Sequence, residues 1–88
     1  MYEITDYTKQ RAKELGLRVL SSTKKNKKLD IYKDGRFITS VGDIRYGDYP
    51  TFMKLYGLEF ANKRRKAYHQ RHKNDSGIAG KMASYLLW

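Results

Sequence analysis

The sequence predicts an α+β fold: a three-stranded antiparallel sheet preceded by one helix and followed by two or three helices. Three observations lead there. Residues 17–41 are β-prone and are split by Asp34-Gly35, a dipeptide that favours a tight hairpin. The residues before this block repeat their apolar positions every three or four places, as a helix requires. The residues after it open on Asp48-Tyr49-Pro50 and continue with helix-forming side chains. No proline-rich linker, low-complexity tract or repeat divides the chain, so residues 1–88 are read as one domain, within the usual range of about 50–250 residues.

The first helix starts at Thr5 or Asp6, either of which can accept a hydrogen bond from a free first-turn amide. It ends before Gly16, which suits the left-handed position after a helix. Ile4, Tyr7 or Thr8, Arg11 or Ala12, and Leu15 give it one narrow apolar face to lay on the sheet. Leu17–Ser22, Leu29–Tyr32 and Arg36–Val41 are the strands, and Lys24-Lys25-Asn26-Lys27-Lys28 is a polar turn between the first two. A two-residue Asp34-Gly35 turn would pair Tyr32 with Phe37 and divide the apolar residues between both faces. A three-residue turn over Lys33-Asp34-Gly35, with Gly35 left-handed in a bulge, puts Leu29, Ile31, Phe37, Thr39 and Val41 together, extended by Leu17 and Val19. That bulged turn is the expectation, with Tyr32, Arg36, Ile38 and Ser40 on the other face.

Gly42–Gly47 forms a turn, after which Asp48 caps a short helix whose Pro50 has no amide to leave unpaired. Phe52, Leu55 and Tyr56 form its apolar side, and Gly57 closes it. A longer helix runs from Leu58 to about Asn74, the stretch Asn74-Asp75-Ser76-Gly77 breaks it, and a last helix follows from about Ile78. In that last helix Gly77, Gly80 and Ala83 make a side-chain-poor stripe that would let another backbone approach. Leu86-Leu87-Trp88 would be a sticky patch if exposed, so it packs in the core by default or against a protein partner as the alternative.

Charge points to function. Nineteen Lys and Arg oppose nine Asp and Glu, a net charge of +10. The excess is concentrated beyond residue 57, where seven basic residues meet two acidic ones. Such a chain repels itself and is relieved by a polyanion. The densest segment is Lys63-Arg64-Arg65-Lys66-Ala67-Tyr68-His69-Gln70-Arg71-His72-Lys73, with six fixed positive charges in eleven residues. Arginine's planar fork suits phosphate, lysine serves as a point charge, and each phosphate neutralised releases counterions. The expected nucleic-acid contacts are therefore Arg64, Arg65, Lys66, Arg71, His72 and Lys73, with Lys24, Lys25, Lys27 and Lys28 assisting from the turn. A solvated helix face and a solubilising hairpin tip are the plainer alternatives for these two segments. Tyr46, Tyr49 and Tyr56 lie near them and could stack on bases, although filling the core is the simpler use of tyrosine.

Other functions find little support. The absence of cysteine removes disulfides and thiolate metal sites. His69, His72 and Asp75 could share a helix face, but a catalytic zinc needs a third strong ligand and a nearby base, and the surrounding positive charge repels a divalent cation. No paired carboxylates, phosphate-binding glycine loop or nucleophile motif is present, so no enzyme activity, metal or cofactor is expected. No apolar run approaches the roughly 18 residues of a membrane span. Met1-Tyr2-Glu3-Ile4 lacks a signal-peptide pattern, and an intracellular location is expected.

Gly47-Asp48-Tyr49-Pro50-Thr51, the run from Ala61 to Asp75, Ala79-Gly80 and the closing Leu86-Leu87-Trp88 together resemble a family of short uncharacterised proteins of large double-stranded DNA viruses. The resemblance covers the C-terminal half well and the hairpin loosely, and it brings no established activity. It implies a viral protein in the infected host cell, with DNA ahead of RNA as the nucleic acid. It also implies other virion proteins as further partners, and a minor capsid component as the alternative role.

Overall fold

The computed structural model describes residues 1–75 and 77–88 and has the α+β architecture expected. Helix α1 spans Asp6–Glu14, with the Thr5 hydroxyl accepting from the Thr8 amide at 3.2 Å. Gly16, at φ 68°, carries the chain out of the helix in the left-handed conformation that glycine adopts without strain. Strands β1 (Arg18–Ser21), β2 (Lys27–Lys33) and β3 (Arg36–Asp43) form an antiparallel sheet in the order β1-β2-β3. Three helices follow: α2 (Tyr49–Tyr56), α3 (Leu58–Arg71) and α4 (Ile78–Leu87).

The hairpin corrects the expected turn. Lys33 pairs with Arg36 and Tyr32 with Phe37, so the turn has two residues, and both Asp34 (φ 52°) and Gly35 (φ 78°) are left-handed. That is the type I′ geometry whose twist matches the strands it joins. The apolar residues are reunited two pairs later instead. The register passes from Tyr32↔Phe37 to Ile31↔Thr39, leaving Ile38 as an extra residue in β3. This bulge restores Leu29, Ile31, Thr39 and Val41 to one face, but it leaves Phe37 on the other, edge-on to Tyr32 at 5.6 Å and 46% exposed.

The core lies between that sheet face and helices α1 and α4, with Ala12, Leu29, Ile31, Val41, Leu86 and Leu87 buried together. Leu17, Val19, Met82 and Trp88 pack around them. Leu86 and Leu87 are thus core, the default reading, and Trp88 packs partly buried against them. Thr8 and Arg11 fasten α1 to the end of α4: the Thr8 hydroxyl donates to the Leu86 carbonyl at 2.8 Å, and the Arg11 Nε donates to that of Tyr85. Gly42 allows α4 to close on β3. It sits at φ +82°, and a Cβ there would stand 2.8 Å from Leu87 Cδ1.

Asp48 caps α2 as predicted, its Oδ1 accepting from the Thr51 amide at 3.0 Å. Its other oxygen accepts from Lys28 Nζ and from the Tyr2 hydroxyl, both at 2.7 Å, and both Asp48 and Lys28 are buried. Burial pushes the Asp48 carboxyl up, but the bonds from Lys28, Thr51 and Tyr2 outweigh it and hold the group below the ordinary aspartate range. Three distant segments are tied at this one carboxylate.

Helix α3 stops at Arg71, short of the predicted Asn74. The His72 ring stacks on Tyr68 (4.2 Å between centroids) and its Nδ1 lies 2.7 Å from Asp75 Oδ2, which draws the chain into a turn. Of the predicted 74–77 break, Ser76 lies outside the described residues. Of the small-residue stripe on α4, Gly80 is approached by Asp75, whereas Gly77 faces open space. Among the described residues no helix is long and apolar enough to cross a membrane.

Candidate nucleic-acid interface

Helix α3 has one fully buried residue, Ala61, and its cations are arranged around that anchor. Arg64, Lys66, Arg71 and Lys73 are exposed, and among the described residues none of them is paired with a carboxylate. Arg65 is the exception to the outward pattern. Its guanidinium lies 4.1 Å from the Tyr49 ring centroid and reaches the Asn62 Oδ1 at 3.4 Å, so it bridges α3 to α2. Tyr49 is buried and donates its hydroxyl to the same Asn62 oxygen at 3.0 Å, the core use of tyrosine.

The lysine-rich segment divides. Lys24 and Lys25 are exposed on the turn, and the Lys24 ammonium stands 4.2 Å from the Phe37 ring centroid. Lys27 and Lys28 belong to β2, not to the turn. Lys28 is corrected as a candidate contact, because its ammonium is buried and neutralised by Asp48, leaving no charge to offer a phosphate. Lys27 stays exposed.

What the structure adds is a groove of about 680 Å³ where β2 and β3 face α3 and α4. Lys27, Arg64, Arg71 and His72 surround it, uniting both predicted basic segments at one place. Its walls include Tyr46, Phe52, Tyr68 and Trp88. Tyr68 and Trp88 stack nearly parallel, 8° apart with centroids at 4.4 Å, and Phe52 packs against Trp88 at 6.0 Å. Gly47 makes room for this wall: a Cβ on it would stand 2.2 Å from Phe52 Cζ. The groove's acidic lining residue, Asp43, is already committed. Hydrogen bonds from the Arg45 side chain and backbone hold its carboxyl at about 2, so it is a carboxylate whose charge Arg45 offsets.

A second depression of about 630 Å³ lies beside the first and takes in Arg65, His69, His72, Lys73 and Lys81. Burial, then the positive charges of Arg65 and Arg11, and His72, hold His69 below the ordinary histidine range. At neutral pH His69 is therefore an uncharged donor and acceptor rather than a cation. Lys24, Lys25 and Lys66 line neither depression. Among the described residues no group of three His, Cys, Asp or Glu side chains is placed to hold a metal ion.

The aromatic wall was the part that sequence reasoning missed. The sequence offers Tyr46 as a stacking residue, but nothing in the spacing of Tyr68 and Trp88 foretells that their rings meet. Comparison with protein-family models, with curated proteins and with solved structures finds no match to this chain.

Proposed function

We propose that this protein binds nucleic acid without acting as an enzyme, in the viral setting that its sequence resemblance implies. The observation that carries this reading is the set of exposed cations on α3 and the turn after it, Arg64, Lys66, Arg71 and Lys73, without carboxylate partners among the described residues; Arg64 and Arg71 meet Lys27 around one groove. Without carboxylate partners these charges raise the positive potential around the helix, which a bound anion relieves. Arg64, Arg71, Lys27 and Lys73 make the phosphate contacts, with Lys24, Lys25 and Lys66 adding charge further out. His72 contributes a ring nitrogen beside them. Arg65 holds α3 to α2 and is a supporting residue.

A mobility-shift titration at 50 mM and 200 mM salt tests the reading. Binding at the lower salt that weakens steeply at the higher is expected. No shift at the lower salt refutes it.

One observation favours a second role, as a virion structural component. Leu55, Tyr56 and Leu58 are each more than half exposed at the α2–α3 elbow, with Phe60 beside them at 41%. A protein neighbour would cover such a ridge. Fractionating virions separates the roles, because a shell component stays with emptied capsids and a genome binder leaves with the DNA.

A further inference from the structure

We propose that the groove between the sheet and helices α3 and α4 takes an unpaired nucleotide, so that single-stranded nucleic acid is its ligand in preference to duplex. This deepens the proposed function and rests on it for the phosphate contacts. Its own support is the chemistry of the walls.

A groove for duplex backbone needs only positive charge, since the bases of a duplex are stacked on one another and their faces are closed. Here the cations Lys27, Arg64 and Arg71 stand around an aromatic lining. Cationic tracks interleaved with rings are how unpaired strands are held, the charge following phosphates and each ring taking a base face. The volume, about 680 Å³, falls within the range of roughly 300–1,000 Å³ that accommodates a ligand of nucleotide size.

The rings divide by availability. Phe52, Tyr68 and Trp88 are packed on each other and form a fixed wall. Tyr46 is 71% exposed and pairs with no other aromatic ring among the described residues. It rises from the turn after β3, which the Tyr46 amide closes by donating to the Asp43 carbonyl at 3.1 Å. The Arg45–Asp43 ion pair braces the same turn. A large ring left in water on a braced turn at the rim of a basic groove is placed to stack on an entering base. The phosphates flanking that base then fall to Lys27, Arg64 and Arg71. Ribose and deoxyribose present the same base and phosphate chemistry, and the test carries both.

The protein contains a single tryptophan, Trp88, in the groove wall, so its fluorescence reports occupancy. Four probes are titrated at one fixed salt: oligothymidylate, oligouridylate, a mixed-sequence DNA duplex and inorganic polyphosphate of matched charge. The expected result is tighter binding of one or both single strands than of polyphosphate or duplex, with a Trp88 signal change only for the single strands. Tyr46→Ala is expected to weaken single-strand binding by about 5- to 150-fold, the loss of one base–ring stack, while leaving duplex and polyphosphate affinities unchanged. Its exposure makes the variant safe for folding, which circular dichroism checks. Equal affinity for all probes, or a Tyr46→Ala variant that binds single strands as tightly as the parent, overturns the proposal while leaving polyanion binding intact. Failure of every probe to bind overturns both.

Discussion

Replacing Lys28 with methionine tests the buried tie at Asp48. The substitution keeps the length of the aliphatic stem and removes the ammonium. Asp48 is then left fully buried, with its carboxylate served by two neutral donors, the Tyr2 hydroxyl at 2.7 Å and the Thr51 amide at 3.0 Å. Breaking a buried pair by removing one partner costs about 3–5 kcal/mol, and the two remaining donors place this case near the lower end, about 3 kcal/mol. For a small domain whose whole stability is about 5–10 kcal/mol, that is a large share. With a urea slope of about 1 kcal/mol/M, the unfolding midpoint followed by circular dichroism should fall by about 3 M. The pH dependence carries a second check. In the parent, Asp48 titrates lower folded than unfolded, so its contribution is full above the ordinary value of about 3.9 and is lost as pH falls through the folded one. In Lys28→Met the lowering by the Lys28 hydrogen bond and charge is gone, so the folded carboxyl titrates higher than in the parent and less stability is lost as pH falls. The deficit should therefore narrow as pH is lowered from 7 toward 4. A midpoint loss below about 0.5 M, or a deficit independent of pH, refutes the reasoning.

Three further outcomes are expected. Arg64→Ala, Arg71→Ala and Lys27→Met should each leave the unfolding free energy within about 0.5 kcal/mol of the parent. Each should also lower the slope of log affinity against log salt by about 0.7 for a single strand, measured by titration at four salt concentrations. Gly42→Ala combines a positive φ with a contact 2.8 Å from Leu87 and should cost about 2–4 kcal/mol in thermal or urea unfolding, whereas Gly16→Ala, with open space around it, should cost about 1–2 kcal/mol. Leu86→Ala removes a side chain that is 0% exposed and should cost about 2–5 kcal/mol by the same measurement.

Local signals in the sequence announced every element of this fold, because caps and turn residues act within a few positions of themselves. Thr5, Gly16, Asp48 and Gly57 stand at helix ends for reasons visible in their own chemistry. The hairpin shows where such signals end. Apolar alternation required one extra residue somewhere between Ile31 and Thr39, and two positions satisfied it, the turn or the strand. Backbone twist favoured a two-residue turn, so the surplus fell on Ile38. Lys28 failed for a different reason. Four lysines in five residues read as a solvated tip, and the carboxylate that takes one of them inside is 20 positions away. The basic helix was legible as a helix and as a charged surface. The groove was not, since it exists only where Lys27, Tyr46, Arg64 and Trp88 converge from four separate elements or turns.

Ile38 has no partner across the ladder, and strand pairing is regular on both sides of it. Removing that single residue would join Phe37 directly to Thr39, giving an uninterrupted hairpin in which Tyr32 still faces Phe37 and Ile31 still faces Thr39. Most one-residue deletions in a sheet turn an entire strand inside out. Here the chain carries a built-in spare, and β3 is the strand of this protein in which length can vary by one without disturbing what lies beneath the sheet.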